Sequence, residues 1–140
     1  MEKKMLDISN EIIQDMITHA KDHLPIESCG YLGGQDNKIT KFYPMTNVDK
    51  SPEHFSFDPK EQFSVVKDAR KENLTLLSVY HSHPETPARL SEEDIKLLND
   101  PNMVYIIVSL REETPEIKGY QLNKPDDKTI EITRIELNIT

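Results

Sequence analysis

The sequence is poor in cysteine and in positive charge. Cys29 is its single cysteine, so no internal disulfide can form, and a reducing, cytoplasmic environment is expected. Its 17 Lys and Arg residues stand against 25 Asp and Glu, which gives a formal net charge of -8. A basic stripe is missing, so binding to nucleic acid or to an anionic membrane is disfavoured.

Long apolar runs, repeats and linkers are also missing. The first residues, 1–7, lack the apolar stretch of a signal peptide, and no run approaches the length of a membrane span. Ordered apolar patterning nevertheless runs through most of the chain, which is typical of a folded protein. The 140 residues therefore predict a single domain, 1–140, with one hydrophobic core.

The first third of the chain predicts a helix followed by two paired strands. Apolar residues recur at helical spacing over about residues 9–23, and Ser9 is a suitable N-cap. A short strand bounded by glycines follows at 27–34, and residues 38–44 alternate as the strand that pairs back on it. The stretch 45–57 is expected to be irregular, with one short extended piece at 54–57.

A second helix is predicted to begin at Asp58-Pro59, with Glu61 completing a capping box. The positions expected to face the core from this helix are Phe63, Val66 and Ala69. The later elements predicted are a buried strand at 74–83, a helix at 91–98, a central strand at 103–110, and strands at 117–122 and 129–137. This mixture predicts an α/β or α+β sheet with helices packed on it.

Two histidines lie one residue apart at the end of the predicted buried strand. Side chains alternate along a strand, so His81 and His83 point to the same face and can hold one metal ion. Pro84 ends the strand, and a short loop leads to a helix start at Ser91, where Asp94 supplies a third ligand. Three protein ligands and one water are typical of catalytic zinc, although other divalent metals also suit this donor set.

Each of these pieces also has an ordinary structural explanation. A His-x-His pair on a strand is common, and Ser91 with Asp94 makes a normal capping box. Cys29 is expected to be a small buried thiol. His19 and His23 have metal-compatible spacing on the first helix, but no supporting ligand is evident, and a solvated helix face is the simpler interpretation.

The complete arrangement resembles the signature of the JAMM/MPN+ (Mov34/JAB-type) metallopeptidases. Residues 81–94 read His-x-His-Pro, six intervening residues, then Ser-x-x-Asp. The family also has a glutamate just before a glycine-containing strand that follows the first helix, and Glu27 occupies that place. The resemblance implies an α/β fold similar to that of cytidine deaminase, in which a central mixed β-sheet is flanked by helices.

The resemblance also implies a role for each residue of the motif. His81, His83 and Asp94 would bind one Zn²⁺ per chain together with a water molecule. Glu27 would act as general base and then deliver the proton to the leaving amine. Ser91 would donate a hydrogen bond to the oxyanion of the tetrahedral intermediate. For Glu27 taken alone, a solvated loop carboxylate would be the simpler interpretation.

Small stand-alone prokaryotic members of this family are similar to the chain in length and in the 47–59 stretch. Some of them remove cysteine or other adducts from the Gly-Gly tail of a ubiquitin-like sulfur-carrier protein. The resemblance therefore implies a peptidase that acts after such a tail, in cysteine or other sulfur metabolism, with the carrier as its partner. The slim tail is expected to add as a strand beside the active-site sheet.

Several other functions compete with this one. An isopeptidase that acts on protein conjugates would use the same residues, whereas a non-catalytic MPN-type scaffold module would typically lose ligands that this chain keeps. A nucleoside deaminase needs a Cys-x-x-Cys pair and is excluded by the single cysteine. The acidic charge disfavours a DNA-repair relative. Homodimerisation stays open.

Overall fold

The computed structural model describes residues 5–140, in which seven strands and three helices form one α/β unit. In chain order the elements are β1 Met5–Ile8, α1 Asn10–Asp22, β2 Cys29–Gln35, β3 Lys38–Met45, α2 Pro59–Lys71, β4 Thr75–His83, α3 Glu92–Leu97, β5 Val104–Ser109, β6 Glu116–Asp126 and β7 Thr129–Ile139. Of the stretch expected to lack a signal peptide, residues 1–4 lie outside the described part. No helix within residues 5–140 is long and apolar enough to cross a bilayer.

The strands form a mixed sheet in the order β1-β3-β2-β4-β5-β6-β7. As the sequence indicated, the sheet is mixed: β4 and β5 are parallel, whereas β2 runs antiparallel to both of its neighbours. The sheet also closes into a barrel, because β1 pairs in parallel with β7 as well as with β3. The sequence pattern did not reveal β1, since four residues with only Leu6 and Ile8 buried are too short to show a period.

Strands β4 and β5 correspond to the buried strand and the central strand, respectively, that the apolar pattern predicted. All six residues of β5 and the last six of β4 are buried. Alternate residues contribute to two clusters: Tyr80 and Ile106 lie in one with Met16 of α1, and Tyr105 lies in the other with Val65 of α2. Burial on both faces holds the end of β4 rigidly, and that end carries the two histidines.

Helices α1 and α2 begin where the sequence predicted. The Ser9 side chain accepts a hydrogen bond from Ile12 N at 3.2 Å, and the Asp58 side chain accepts one from Lys60 N at 2.9 Å. Glu61 was predicted to complete a capping box at the start of α2, but its side chain bonds elsewhere. Its carboxylate accepts from the backbone N and the hydroxyl of Thr46, both at 2.8 Å, and so ties α2 to the end of β3.

The predicted core-facing side of α2 was partly wrong. Ala69 is buried as expected, but Phe63 is 69% exposed and Val66 is 37% exposed. Val65 takes the inward position instead. Val65 and Ala69 are four residues apart and form one narrow stripe of small side chains, which lets the helix approach the sheet closely, whereas Phe63 and Val66 lie on the adjacent stripe.

Candidate metal centre

The structure brings His81, His83 and Asp94 together at the end of β4, beside the first turn of α3. The Asp94 carboxylate lies 3.1 Å from Nε2 of His81 and 3.0 Å from Nε2 of His83. The two Nε2 atoms are 3.2 Å apart. All three side chains are buried, with exposed fractions of 0%, 2% and 4% respectively. The arrangement therefore presents three ligand atoms to a single point inside the protein.

The geometry of these atoms fits a zinc ion. In a tetrahedral site with bonds of about 2.0–2.1 Å, ligand atoms lie about 3.3 Å apart, close to the observed separations. His83 Nδ1 donates to the Pro87 carbonyl oxygen, 2.8 Å away, because a carbonyl oxygen can only accept. The proton therefore lies on Nδ1, which leaves Nε2 free to bind a metal. Two imidazoles and one carboxylate, without thiolate, suit zinc.

Asp94 serves the helix and the cluster at the same time. Its Oδ2 accepts from Ser91 N at 3.0 Å, and Ser91 Oγ accepts from Asp94 N at 3.0 Å, so the predicted capping box is confirmed. Burial alone would raise the pKa of Asp94, but hydrogen bonds with His81 and His83 outweigh it and hold that pKa well below the usual value. Asp94 is therefore a fixed, ionised acceptor.

Glu27 lies just before β2 and is 2% exposed. Its Oε1 atom has no hydrogen-bond partner within residues 5–140. Burial, followed by the negative charges of Asp94 and Glu53, raises the pKa of Glu27 to about 9. The interpretation of Glu27 as a solvated loop carboxylate is thus wrong. A buried carboxyl group with a perturbed pKa, coupled to a ligand cluster, has the properties of a proton-transfer group.

A cleft of about 260 Å³ opens over Asp94. The side chains that line it are His54, Phe55, Ser56, Phe57, Gln62, Asp94, Leu97 and Leu98. The Phe55 ring stacks on the His81 ring, with centroids 5.0 Å apart and planes inclined by 26°. Sequence analysis did not identify this wall, although the extended piece predicted at residues 54–57 contains its two aromatic side chains. Only the fold brings that piece to β4.

The weaker candidates named from the sequence have structural roles. His19 Nδ1 lies 2.7 Å from the Tyr80 hydroxyl, and burial lowers the pKa of His19 to about 4, so its ring is neutral. His19 is thus a half-buried residue that packs against its neighbours, and it does not lie on a solvated helix face. Burial, then Glu61, raises the pKa of Cys29 to about 12, and the thiol stays protonated and unreactive. Larger clefts, of about 620, 760 and 450 Å³, contain none of the cluster residues or Glu27; His19 lines the first of them.

Comparison with known proteins places this geometry in context. Residues 9–123 match the family model described as prokaryotic homologs of the JAB domain. The CysO-cysteine peptidase of Mycobacterium tuberculosis (strain ATCC 25618 / H37Rv) is 31% identical over 121 residues, which cover 84% of this chain and 83% of that protein. A desampylase of Pyrococcus furiosus is 31% identical over 99 residues, covering 71% and 69%. The solution structure of protein DSY2949 from Desulfitobacterium hafniense has a TM-score of 0.83 at 39% identity, covering 97% of this chain and 94% of that one.

Proposed function

The chain belongs to the prokaryotic JAB family of JAMM metallopeptidases, and from this membership we propose that it hydrolyses the bond after the C-terminal Gly-Gly of a ubiquitin-like sulfur-carrier protein, releasing cysteine or a similar adduct. The observation that carries the proposal is the buried cluster of His81, His83 and Asp94 with Glu27 beside it. The similarity to a CysO-cysteine peptidase supports this choice of substrate.

In the proposed mechanism the three ligands hold Zn²⁺, which, when bound, would act as a Lewis acid toward water and the scissile carbonyl. Glu27 accepts the proton of the attacking water and then delivers it to the leaving amine. Its burial beside the cluster supports this role: burial raises the pKa of Glu27, and the positive charge of a bound metal would favour the ionised carboxylate, which would then be a strong proton acceptor. The hydroxyl of Ser91 donates a hydrogen bond to the oxyanion.

The proposed catalytic role of Ser91 can be separated experimentally from its role as a helix cap. Ser91→Ala is expected to lower kcat by about 10²–10³-fold, because the oxyanion loses a donor. It should also cost about 1 kcal/mol of folding free energy through the lost cap. Both quantities are measured with the zinc-loaded protein, by steady-state kinetics and by denaturant unfolding.

Ser9→Ala is the matched control, because Ser9 caps α1 in the same manner, with its side chain accepting from Ile12 N at 3.2 Å. It should lose a similar free energy of unfolding, about 1 kcal/mol, and keep its kcat. Equal kcat values for the two variants would show that Ser91 is a cap alone.

The size and lining of the cleft beside the cluster favour a slim substrate tail. Its volume is about 260 Å³, and four aromatic or aliphatic side chains line it beside four polar ones, so we expect a Gly-Gly segment to fit where larger side chains would crowd. The tail was expected to add as a strand beside the active-site sheet, but it has no free edge to pair with at β4. Both edges of β4 are already occupied, by β2 and by β5. We propose that the tail lies along segment 54–57, which lines the cleft and forms an isolated β-bridge with Asn47 at Phe57.

An isopeptidase acting on protein conjugates is the second candidate. It is favoured by the 31% identity to a desampylase of Pyrococcus furiosus and by a similar match to a probable TtuB-protein conjugate cleaving protease of Thermus thermophilus. Both candidates use the same ligands and the same general base. The two candidate functions differ only in the group that leaves from the Gly-Gly carbonyl, so assays with two different substrates are needed to distinguish them.

The test uses two substrates built on one ubiquitin-fold carrier protein from the same genome. One ends in Gly-Gly-Cys, and the other is joined through Gly-Gly to a lysine of a second protein. We expect the zinc-loaded chain to shorten the first substrate to Gly-Gly, as seen by intact-mass measurement, and chelation of zinc to stop the reaction. Cleavage of the lysine-linked substrate alone would favour the isopeptidase, and cleavage of neither would favour a scaffold module.

A further inference from the structure

A buried asparagine organises the irregular loop between β3 and α2. Asn47 is 1% exposed, and its Nδ2 donates to the carbonyl oxygens of Glu27 and His54, both at 3.0 Å. Its Oδ1 accepts from the backbone N of Asp49 at 3.0 Å and of Ser56 at 3.3 Å. An amide side chain offers two donor hydrogens and two acceptor lone pairs, and Asn47 uses both ends fully.

This loop holds the peptide groups on both sides of Glu27. Glu27 N donates to the Ser51 carbonyl oxygen at 2.9 Å, and the Glu27 carbonyl accepts from Asn47. Glu27 itself precedes β2, whose pairing with β3 and β4 begins at Cys29. The ladder of the sheet therefore does not fix the Glu27 backbone, and the loop does.

The next residue is held by β4. Ser28 N donates to Ser82 Oγ at 2.8 Å, and Ser82 N donates to the Ser28 carbonyl oxygen at 3.0 Å. Ser82 stands between the two histidines of the cluster. The segment 27–28 is thus held between the loop, through Asn47, and the strand that carries the metal ligands.

The Glu27 side chain is not held in the same way. Its Oε1 is buried without a hydrogen-bond partner among residues 5–140. A proton acceptor needs a free oxygen, so a side-chain hydrogen bond at that atom would oppose its function. Its direction must then come from the backbone, and the backbone is fixed by hydrogen bonds from its neighbours.

We propose that Asn47 is a positioning residue for Glu27: by donating to the Glu27 carbonyl from inside the loop, it holds the general base in place over the His81–His83–Asp94 cluster. This inference rests on the proposed function, because it presumes that Glu27 transfers the proton. Asn47 is not one of the proposed metal ligands, but it also bonds His54 and Ser56 of the segment proposed for the tail. Its removal should therefore slow the chemical step with zinc still bound, and any weakening of substrate binding should come from that segment.

The test compares Asn47→Ala and Asn47→Asp with wild type. The aspartate variant keeps the acceptor contacts with Asp49 and Ser56, loses the donors and adds a negative charge, so it still tests the donors if the alanine variant does not fold. We expect kcat on the Gly-Gly-Cys carrier to fall by about 10²-fold in both, as for a displacement of about 1 Å of a reacting group. Zinc per chain should stay within about twofold of wild type, since Asn47 is not a ligand, and any rise in KM caused by loosening of residues 54–56 should be shared by the control variant described next.

Asp49→Ala is the matched control. The Asp49 carboxylate bonds His54 Nδ1 at 3.0 Å and Ser56 Oγ at 2.7 Å, so its loss loosens the same loop without touching Glu27. It should keep kcat within about twofold at a comparable loss of melting temperature. Equal losses of kcat in the Asp49 and Asn47 variants would overturn the proposal, and so would an Asn47 variant with unchanged kcat.

A second readout is independent of activity. Crystal structures of zinc-loaded wild type and Asn47→Asp should show the Glu27 carboxylate displaced in the variant, with the zinc ligands unmoved. An undisplaced Glu27 would contradict the positioning role. If wild type cleaves neither carrier substrate, the proposed function fails, and the position of Glu27 in the two crystals still decides whether Asn47 holds it.

Discussion

Glu27→Gln is expected to keep one zinc per chain and to lose turnover almost completely. Glutamine has nearly the same shape as glutamate but cannot accept a proton from water at neutral pH. Loss of a general base typically lowers kcat by about 10²–10⁴-fold. The ligands are untouched, so metal analysis by mass spectrometry should give equal zinc contents for the variant and wild type, while kcat on the Gly-Gly-Cys carrier falls.

Glu53→Gln is the matched control for this substitution. The Glu53 charge contributes to the raised pKa of Glu27, and the side chain has no assigned role in proton transfer. Its removal should lower the pKa of Glu27 slightly and leave kcat within about threefold of wild type. A Glu27→Gln protein that remains fully active would show that another group accepts the proton.

The candidate metal cluster could be predicted because its information is local in the sequence. His81 and His83 share a face by the period of a strand, and Asp94 follows at the start of a short helix whose cap is evident from Ser91. The structure brings these residues together at 3.0–3.2 Å. The assignment of Glu27 as general base, by contrast, depended entirely on the resemblance to the JAMM/MPN+ metallopeptidases. Nothing in its own neighbourhood indicates burial.

What sequence analysis missed depends on contacts between distant segments. Asn47 resembles any polar loop residue until its amide is found bonded to the Glu27 carbonyl, twenty residues away along the chain. Phe55 becomes part of the site only because the loop folds over His81. The wrong face of α2 has the same origin, since Val65 and Phe63 are both apolar and only the packing against the sheet decides between them. Local patterns thus indicate elements and ligands, whereas tertiary contacts decide which loop residues support them.

His83→Ala is expected to remove zinc from the purified protein. His83 supplies Nε2 to the cluster, and its Nδ1 is held by the Pro87 carbonyl at 2.8 Å. The variant therefore loses one of the three proposed ligands together with the hydrogen bond that orients it. Loss of an outer partner of a ligand typically costs 10–100-fold in metal affinity, and loss of the ligand itself should cost more than about 100-fold. Zinc per chain, measured after dialysis against buffer without metal, should fall from about one to near zero.

His23→Ala is the control that separates this effect from loss of any histidine. His23 Nδ1 also bonds a backbone carbonyl, that of His19 at 2.7 Å, but it lies at the end of α1 outside the cluster. It should retain zinc at the wild-type level. Full zinc content in His83→Ala would remove that residue from the ligand set. A wild type that takes up no zinc even when supplied with it would remove the basis for hydrolysis, because Glu27 alone cannot activate water and polarise a carbonyl together, and a scaffold module would then be the better account.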